Sequence, residues 1–412
     1  MSQKHDPHTL SVSSPERIEV LDVIRGFAVL GILMMNIQAI AVPPFGYANP
    51  LAYGGSTGLN YIVWFFSRLF FDTKFLSIFS LLFGVSLVLM TDRIEQRGFS
   101  SLSLYGRRLF FLFLFGLAHA YFLWFGDVLR YYAFCGFLVF FLRYKSPVLI
   151  IKLAVGLFTL YVVYLLIAGW DSYQLSGSAL KNAIEGWNPS PEVAQIWLDA
   201  FRGGFGDQLP LQFEMANDLI FDWFIGDGAV LYISAMMLTG MALFKGGFFH
   251  GEWTERNYRR MLFASLFIGL PLVLLEIACA TYFQWDYKMY RLLSRPLNAL
   301  GSPFISLMYL SSWMLILKQQ WLLWISHRLA AVGQMALTNY LMQSMICALF
   351  FYGYGLGWYG DFERTQQLLF VLAVWVTQLL YSSLWMHYSH YGPFEYIWRA
   401  LTYLKFPRFQ KS

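Results

Sequence analysis

The stretch "LDVIRGFAVLGILMMNIQAIAV", Leu21 to Val42, is apolar along almost its whole length. As a helix it would extend about 33 Å, enough to cross the hydrocarbon core of a bilayer. Yet it carries Asp22 and Arg25 near one end and Asn36 deep inside. Charged and amide groups are costly in lipid, so their presence asks for partners or for a function.

The rest of the chain agrees with a membrane setting. Of its 412 residues, 58% are hydrophobic and 20% aromatic, and only 13% are charged. A soluble protein of this size covers its surface with far more charge. A span needs roughly 20 apolar residues. On that rule ten spans fall near 21–43, 74–91, 108–125, 127–143, 146–169, 218–244, 261–284, 298–317, 329–353 and 367–388. The expected fold class is an all-α polytopic membrane helix bundle.

Charge sets the orientation. With the N-terminus inside, Arg93, Arg97, Arg107 and Arg108 follow span two, and Arg143 and Lys145 follow span four. Lys245, Arg256, Arg259 and Arg260 follow span six, and the outer segments are poorer in bases. The positive-inside rule then places both termini in the cytoplasm. Residues 1–20 read as a cytoplasmic N-terminal segment. Residues 21–169 form a five-span N-terminal bundle with the candidate active site, and 170–217 an extracytoplasmic polar insertion too small for a separate domain. Residues 218–388 form the C-terminal bundle, and 389–412 an amphipathic cytoplasmic tail whose Glu395 and Arg399 pair at i, i+4. The segment "NYIVWFFSRLFFDTKF" before span two, interrupted by Arg68, Asp72 and Lys74, reads as an interfacial or half-inserted helix.

Several chemistries are disfavoured. Cys135, Cys279 and Cys347 lie in apolar runs without CxxC spacing, against a disulfide framework or a zinc site. There is no P-loop, dinucleotide fingerprint, HExxH or GxSxG, so no bound cofactor and no metal is expected. The net charge of +5 is modest, and no basic stripe with interleaved aromatics suggests nucleic acid. Whether the chain forms a homo-oligomer stays open.

The intramembrane polar residues are the site candidates. Asp22 and Arg25 are placed to pair at i, i+3, either as a surface-level ion pair or with Arg25 free to hold a phosphate or carboxylate. Gly26 beside them would admit a ligand or another helix. Asn36 lies close to three turns beyond Arg25 on the same face, about 16 Å along the axis. His119, in span three, is the only histidine well inside a span. It suits a general base or a hydrogen-bonded packing role. Asp127, in the tight turn to span four, is within reach to orient it, and Tyr131 follows as a possible substrate contact. Glu276 in span seven needs a partner or a proton. Asn339 and Gln343 share one face of span nine, as helix–helix glue or ligand contacts. Lys74 and Asp72 are either acceptor-binding groups or interfacial anchors.

"LDVIRGFAVLGILMMNI", "KFLSIFSLLFG", "GLAHAYFLWFGDVLRYY", "GQMALTNYLMQS" and "GPFEYIWR" together resemble the YeiB-like bacterial inner-membrane proteins, whose C-terminal half carries a conserved domain of unknown function. The resemblance runs nearly the whole chain. More distantly, Arg25-Gly26 followed by Asn36 is similar to the opening helix of heparan-alpha-glucosaminide N-acetyltransferase. It is also similar to the membrane acyltransferases that O-acetylate bacterial glycans, which have a histidine at the Asn36 position. That similarity implies an acyl group passed from cytoplasmic acyl-coenzyme A to an acceptor on the outer side. The N-acetyltransferase has a catalytic histidine shortly after this helix, whereas residues 41–72 here contain none. Either His119 takes over the base role, or the chemistry has been lost or changed.

The leading expectation is therefore a membrane-embedded acyltransferase. Arg25, Arg107 and Arg108 would hold the coenzyme A phosphates, His119 would deprotonate the acceptor, and Asn36 would stabilise the oxyanion. Two alternatives are a proton-coupled transporter using Glu276 and His119, and a non-catalytic membrane protein. The carrier alternative lacks the repeat and paired broken helices common in carriers.

Overall fold

The computed structural model describes residues 18–221 and 227–410. The N-terminal segment 1–17, residues 222–226 within the sixth expected span, and residues 411–412 lie outside the described residues. The chain is helical throughout the described residues, with one isolated bridge between Ser389 and Gln410.

The elements follow the apolar runs. Helix α1 is Glu19–Ile40, and α2 (Gly58–Phe70) leads through a short turn into α3 (Lys74–Gln96). Helices α4 (Ser101–Phe122) and α5 (Leu129–Phe140) form a hairpin, followed by α6 (Pro147–Gln174). The polar insertion contributes α7 (Gly177–Trp187), α8 (Pro191–Arg202) and α9 (Phe205–Phe221). The second half holds α10 (Ala229–Lys245), α11 (Glu255–Tyr282), the short α12 (Tyr287–Met289), α13 (Arg295–Lys318), α14 (Leu323–Gln334), α15 (Ala336–Phe351), α16 (Arg364–Tyr388) and α17 (Pro393–Tyr403). Among the described residues, seven helical stretches, Gly58–Gln96 and Tyr287–Lys318 each counted as one, are long and apolar enough to cross a membrane, and α5, α10 and α15 are shorter apolar helices. Each of the ten expected spans coincides with one of these. The chain is an all-α polytopic bundle.

One core joins the two halves. Leu21, Ile24 and Val29 of α1 pack in a single buried cluster with Leu329, Leu337 and Leu341 of α14 and α15. The approach of α1 to α14 depends on two glycines. A Cβ on Gly26 would stand 1.9 Å from the Leu329 carbonyl oxygen, and one on Gly333 would stand 1.9 Å from that of Asp22. Gly26 thus admits a neighbouring helix, the contact that membrane helices make through small residues. Outward faces are apolar, as lipid contact requires: Val148, Leu160 and Ile167 of α6 are exposed.

Three expectations need correction. First, α2, read as an interfacial or half-inserted helix, turns its charge inward. Leu59, Ile62 and Phe66 face outward, while Arg68 is buried. The polar residues point inward because they have charged partners there. Second, span nine is broken. Helix α14 ends at Gln334 and α15 begins at Ala336, with Met335 at φ −110° and ψ 33°. The α2–α3 junction is a second interruption, with Thr73 in the left-handed region at φ 64°. Third, Glu395 does not pair with Arg399. Its carboxylate accepts from the Leu337 and Thr338 amides, at 2.6 and 3.0 Å, and so caps the start of α15. Arg399 instead lies over the Tyr391 ring at 4.5 Å.

The insertion 170–217 is ordered as helices packed on the bundle. Trp197 and Phe201 are buried with Tyr352 and Tyr359. The Trp187 indole donates to the Trp285 carbonyl at 2.7 Å. Helix α9 reaches α4, where the Gln212 amide donates to the Ala120 carbonyl at 2.7 Å.

Candidate functional site

Helix α4 ends just after His119, whose carbonyl accepts from both Leu123 N and Trp124 N at 2.9 Å. The chain turns at once and α5 starts at Leu129. Asp127 is the hinge of that turn. Its Oδ1 accepts from the Arg130 amide at 3.1 Å, an N-cap bond that satisfies one of the free donors of α5. Its Oδ2 lies 3.0 Å from His119 Nδ1. With Nδ1 donating to this carboxylate, Nε2 presents its lone pair. The hydroxyl of Ser344, on α15, then donates to Nε2 at 2.8 Å. Asp127, His119 and Ser344 are all buried. This Asp–His–Ser chain has the connectivity by which a histidine takes a proton from a serine hydroxyl.

Gly116 makes the arrangement possible. A Cβ there would meet Arg130 N at 2.6 Å and Asp127 Oδ1 at 2.7 Å. Only glycine lets the start of α5 and its cap lie this close to α4.

Two aromatic rings with orphan polar atoms flank the imidazole. The rings of Trp124 and Tyr340 pack against His119, with centroids 6.4 and 5.1 Å away. The buried Tyr340 hydroxyl has no acceptor for its hydrogen, and Trp124 Nε1 is buried and without a hydrogen-bond partner. So are Gln212 Oε1, both amide atoms of Gln208 one turn earlier on α9, and Arg130 Nε. Most buried polar groups find partners, and each orphan costs about 1–3 kcal/mol. The orphan donors on the two rings beside His119 give that place spare hydrogen-bonding capacity for a polar ligand.

A second buried polar centre joins α2, α3, α11 and α13. Arg68 Nε and Nη2 donate to one oxygen of Glu276, at 3.1 and 3.0 Å, and Nη2 also donates to Tyr290 Oη at 2.8 Å. Arg68 Nη1 pairs with Asp72. Lys74 Nζ donates to the Arg68 carbonyl and to Asn298 Oδ1, each at 2.8 Å, and Asn298 donates to Asp72 at 3.0 Å. Two bases and two acids balance, as burial in a membrane demands. Lys74 is therefore neither a surface anchor nor a free acceptor contact: its side chain is fully buried. Glu276 has the partner it needs.

The remaining candidates separate. Arg25 Nη1 donates to Asp22 at 2.9 Å and Nη2 to Ser86 at 3.2 Å. Arg108, on α4, feels the positive charges of Arg399 on α17 and of Arg25 on α1. Arg107 instead donates to the Thr402 carbonyl at 3.0 Å, and the Arg108 guanidinium stacks 3.5 Å over Trp398. Asn36 is partly exposed, as Arg25 is. It takes no part in the hydrogen bonds that hold His119, where Trp124 and Tyr340 are the nearby orphan donors. Tyr131 is tied to the Leu219 carbonyl at 2.8 Å. Asn339 bonds Val332 O and Ser382 Oγ, each at 3.1 Å. Gln343 bonds Val29 O at 3.0 Å and Gln378 at 2.8 Å. Both act as glue among α1, α14, α15 and α16.

Sequence reasoning missed Ser344, Arg68 and Gly116. Arg68 stood out only as a charge in an aromatic run. Ser344 carries no local signal, because its partner lies 225 residues away.

The bundle and its buried polar centres define a multi-pass α-helical membrane protein with a histidine-centred site. The chain belongs to the YeiB-like family. It is 33% identical over 404 residues to the uncharacterized protein YeiB of Escherichia coli strain K12, covering 94% of this chain and 96% of the relative. It is 30% identical over 410 residues to the uncharacterized protein YxaH of Bacillus subtilis strain 168, covering 96% and 97%. Residues 243–405 match the family described as "Protein of unknown function (DUF418)".

Proposed function

We propose that the chain is a membrane-embedded acyltransferase, with His119 as the base that activates an acceptor hydroxyl or amine. The observation that carries this reading is the two-sided hydrogen bonding of His119, to Asp127 through Nδ1 and to Ser344 through Nε2. A packing histidine needs partners, but not a carboxylate on one nitrogen and an ionisable hydroxyl on the other. Asp127 fixes the tautomer and favours the imidazolium that forms when His119 takes a proton. The donor would be cytoplasmic acyl-coenzyme A. A phosphate site at the inner mouth would use Arg108, which stacks on Trp398 of α17 and feels the charges of Arg399 and Arg25. The acceptor would be an envelope or small-molecule alcohol or amine at the outer side of the bacterial inner membrane, which His119 approaches at the outer end of α4.

The test is thiol release. Purified chain in lipid nanodiscs, given acetyl-coenzyme A, should free coenzyme A faster than protein-free nanodiscs, and His119→Ala should abolish the difference. Equal release by wild type and His119→Ala would sink the reading.

The Arg68–Asp72–Lys74–Glu276 centre favours a second reading, a proton-coupled carrier in which these buried charges exchange partners during transport. Proton-driven flux in proteoliposomes without acyl donor, lost in Glu276→Gln, would favour it.

A further inference from the structure

Ser344 is buried, lies on a different helix from His119, and offers its hydroxyl hydrogen to the same imidazole nitrogen that an acceptor would need. An acceptor hydroxyl entering the site must displace Ser344 from Nε2 or react after it. The second route makes use of the serine. We infer that Ser344 is a nucleophile that carries the acyl group between donor and acceptor. This rests on the acyl-transfer reading above and divides the reaction into two half-reactions.

In the first, the Ser344 hydroxyl proton passes to His119 Nε2 as Oγ attacks the thioester carbonyl carbon. The tetrahedral intermediate collapses with breakage of the C–S bond, and the imidazolium returns the proton to the thiolate. The products are an ester on Ser344 and a free thiol. In the second, an acceptor hydroxyl or amine loses its proton to Nε2 and attacks the ester carbonyl. The bond to Ser344 Oγ breaks, and Oγ recovers the proton. No oxidant, reductant or metal enters the balance.

Both intermediates place a negative charge on the former carbonyl oxygen, beside His119. Trp124 Nε1 and Tyr340 Oη are buried donors without a protein acceptor, on rings that flank the imidazole. Tyr340 stands one turn from Ser344 on α15. An oxyanion would satisfy both. Donors aimed at a developing charge in a dry site typically contribute 10²–10³-fold to rate.

The test is to incubate the purified full chain with acetyl-coenzyme A radiolabelled in the acetyl group, without added acceptor, then quench in acid and map the label. The expected result is labelled peptide containing Ser344 in wild type and none in Ser344→Ala or His119→Ala. Ser344→Cys keeps a nucleophile in place and should retain labelling, now as a thioester cleaved by neutral hydroxylamine. That variant separates lost chemistry from lost folding. Tyr340→Phe and Trp124→Phe should slow labelling, each by about 10²-fold. Acyl transfer by Ser344→Ala at the wild-type rate, or label found on His119, would overturn the nucleophile while leaving the acyltransferase intact. Failure of the wild-type chain to cleave the thioester at all would overturn both.

Discussion

His119 and Asp127 lie eight residues apart, yet their side chains meet at 3.0 Å because the chain turns back on itself between α4 and α5. One carboxylate does two jobs, capping α5 with Oδ1 and fixing the imidazole tautomer with Oδ2. The hairpin that builds the fold also orients the base.

Asp127→Asn separates the two jobs. Asparagine still caps a helix, so the loss of stability should stay within about 1 kcal/mol. Its amide no longer favours the imidazolium and admits the other tautomer, so acyl transfer should fall by roughly 10³-fold or more. A thermal midpoint in detergent beside a pH–rate profile separates a positioning role from a structural one. An unchanged profile would remove Asp127 from the mechanism.

Gly116→Ala acts on the same contact from the α4 side. Its methyl group would sit 2.6 Å from Arg130 N and 2.7 Å from Asp127 Oδ1, both parts of the α5 cap. The cap must move, and Asp127 with it. Transfer activity should drop at least tenfold, and the chain should unfold at lower temperature. Activity equal to wild type would show that the hairpin adjusts freely.

The identity of Asp127 and His119 as partners was legible in sequence, because "HAYFLWFGD" is local and short. Ser344 was not, because nothing within "LMQSMICAL" distinguishes a serine that meets a histidine from one that bonds its own helix. The ten apolar helices were legible from run length alone. The break at Met335 was hidden, since the apolar pattern continues through it and the capping Glu395 arrives from 60 residues downstream. The inward turn of α2 was hidden too, because an aromatic helix with inward charges has the composition of an interfacial one. Which way it faces is decided by Glu276, which lies 208 residues beyond Arg68.

The Arg68–Glu276 pair predicts a stability asymmetry. Arg68→Met leaves two buried carboxylates short of a partner and should cost about 3–5 kcal/mol. The double variant with Glu276→Leu should recover part of that loss. Unfolding midpoints in detergent for the single and double variants report the coupling. Independent, additive effects would mean that the pair contributes no coupling.

Glu395 predicts a pH dependence. Burial holds its carboxyl above the ordinary glutamate range, opposed by the Thr338 and Leu337 donors. A raised folded-state value means the protonated form is favoured by folding, so this contribution is present at acidic pH and is lost as pH rises through the folded value. Glu395→Gln, which cannot ionise, should flatten that limb of the stability–pH curve. The comparison is of thermal midpoints for wild type and Glu395→Gln from acidic to neutral pH. Parallel curves would contradict the assignment.

The most direct test of the central claim follows radiolabelled acetyl from acetyl-coenzyme A in inverted membrane vesicles enriched in the chain. These vesicles expose the cytoplasmic face and keep any native acceptor in place. Vesicles with wild type should accumulate label in a product other than the donor, and vesicles with equal amounts of folded His119→Ala should not. Equal labelling by the two would contradict the account.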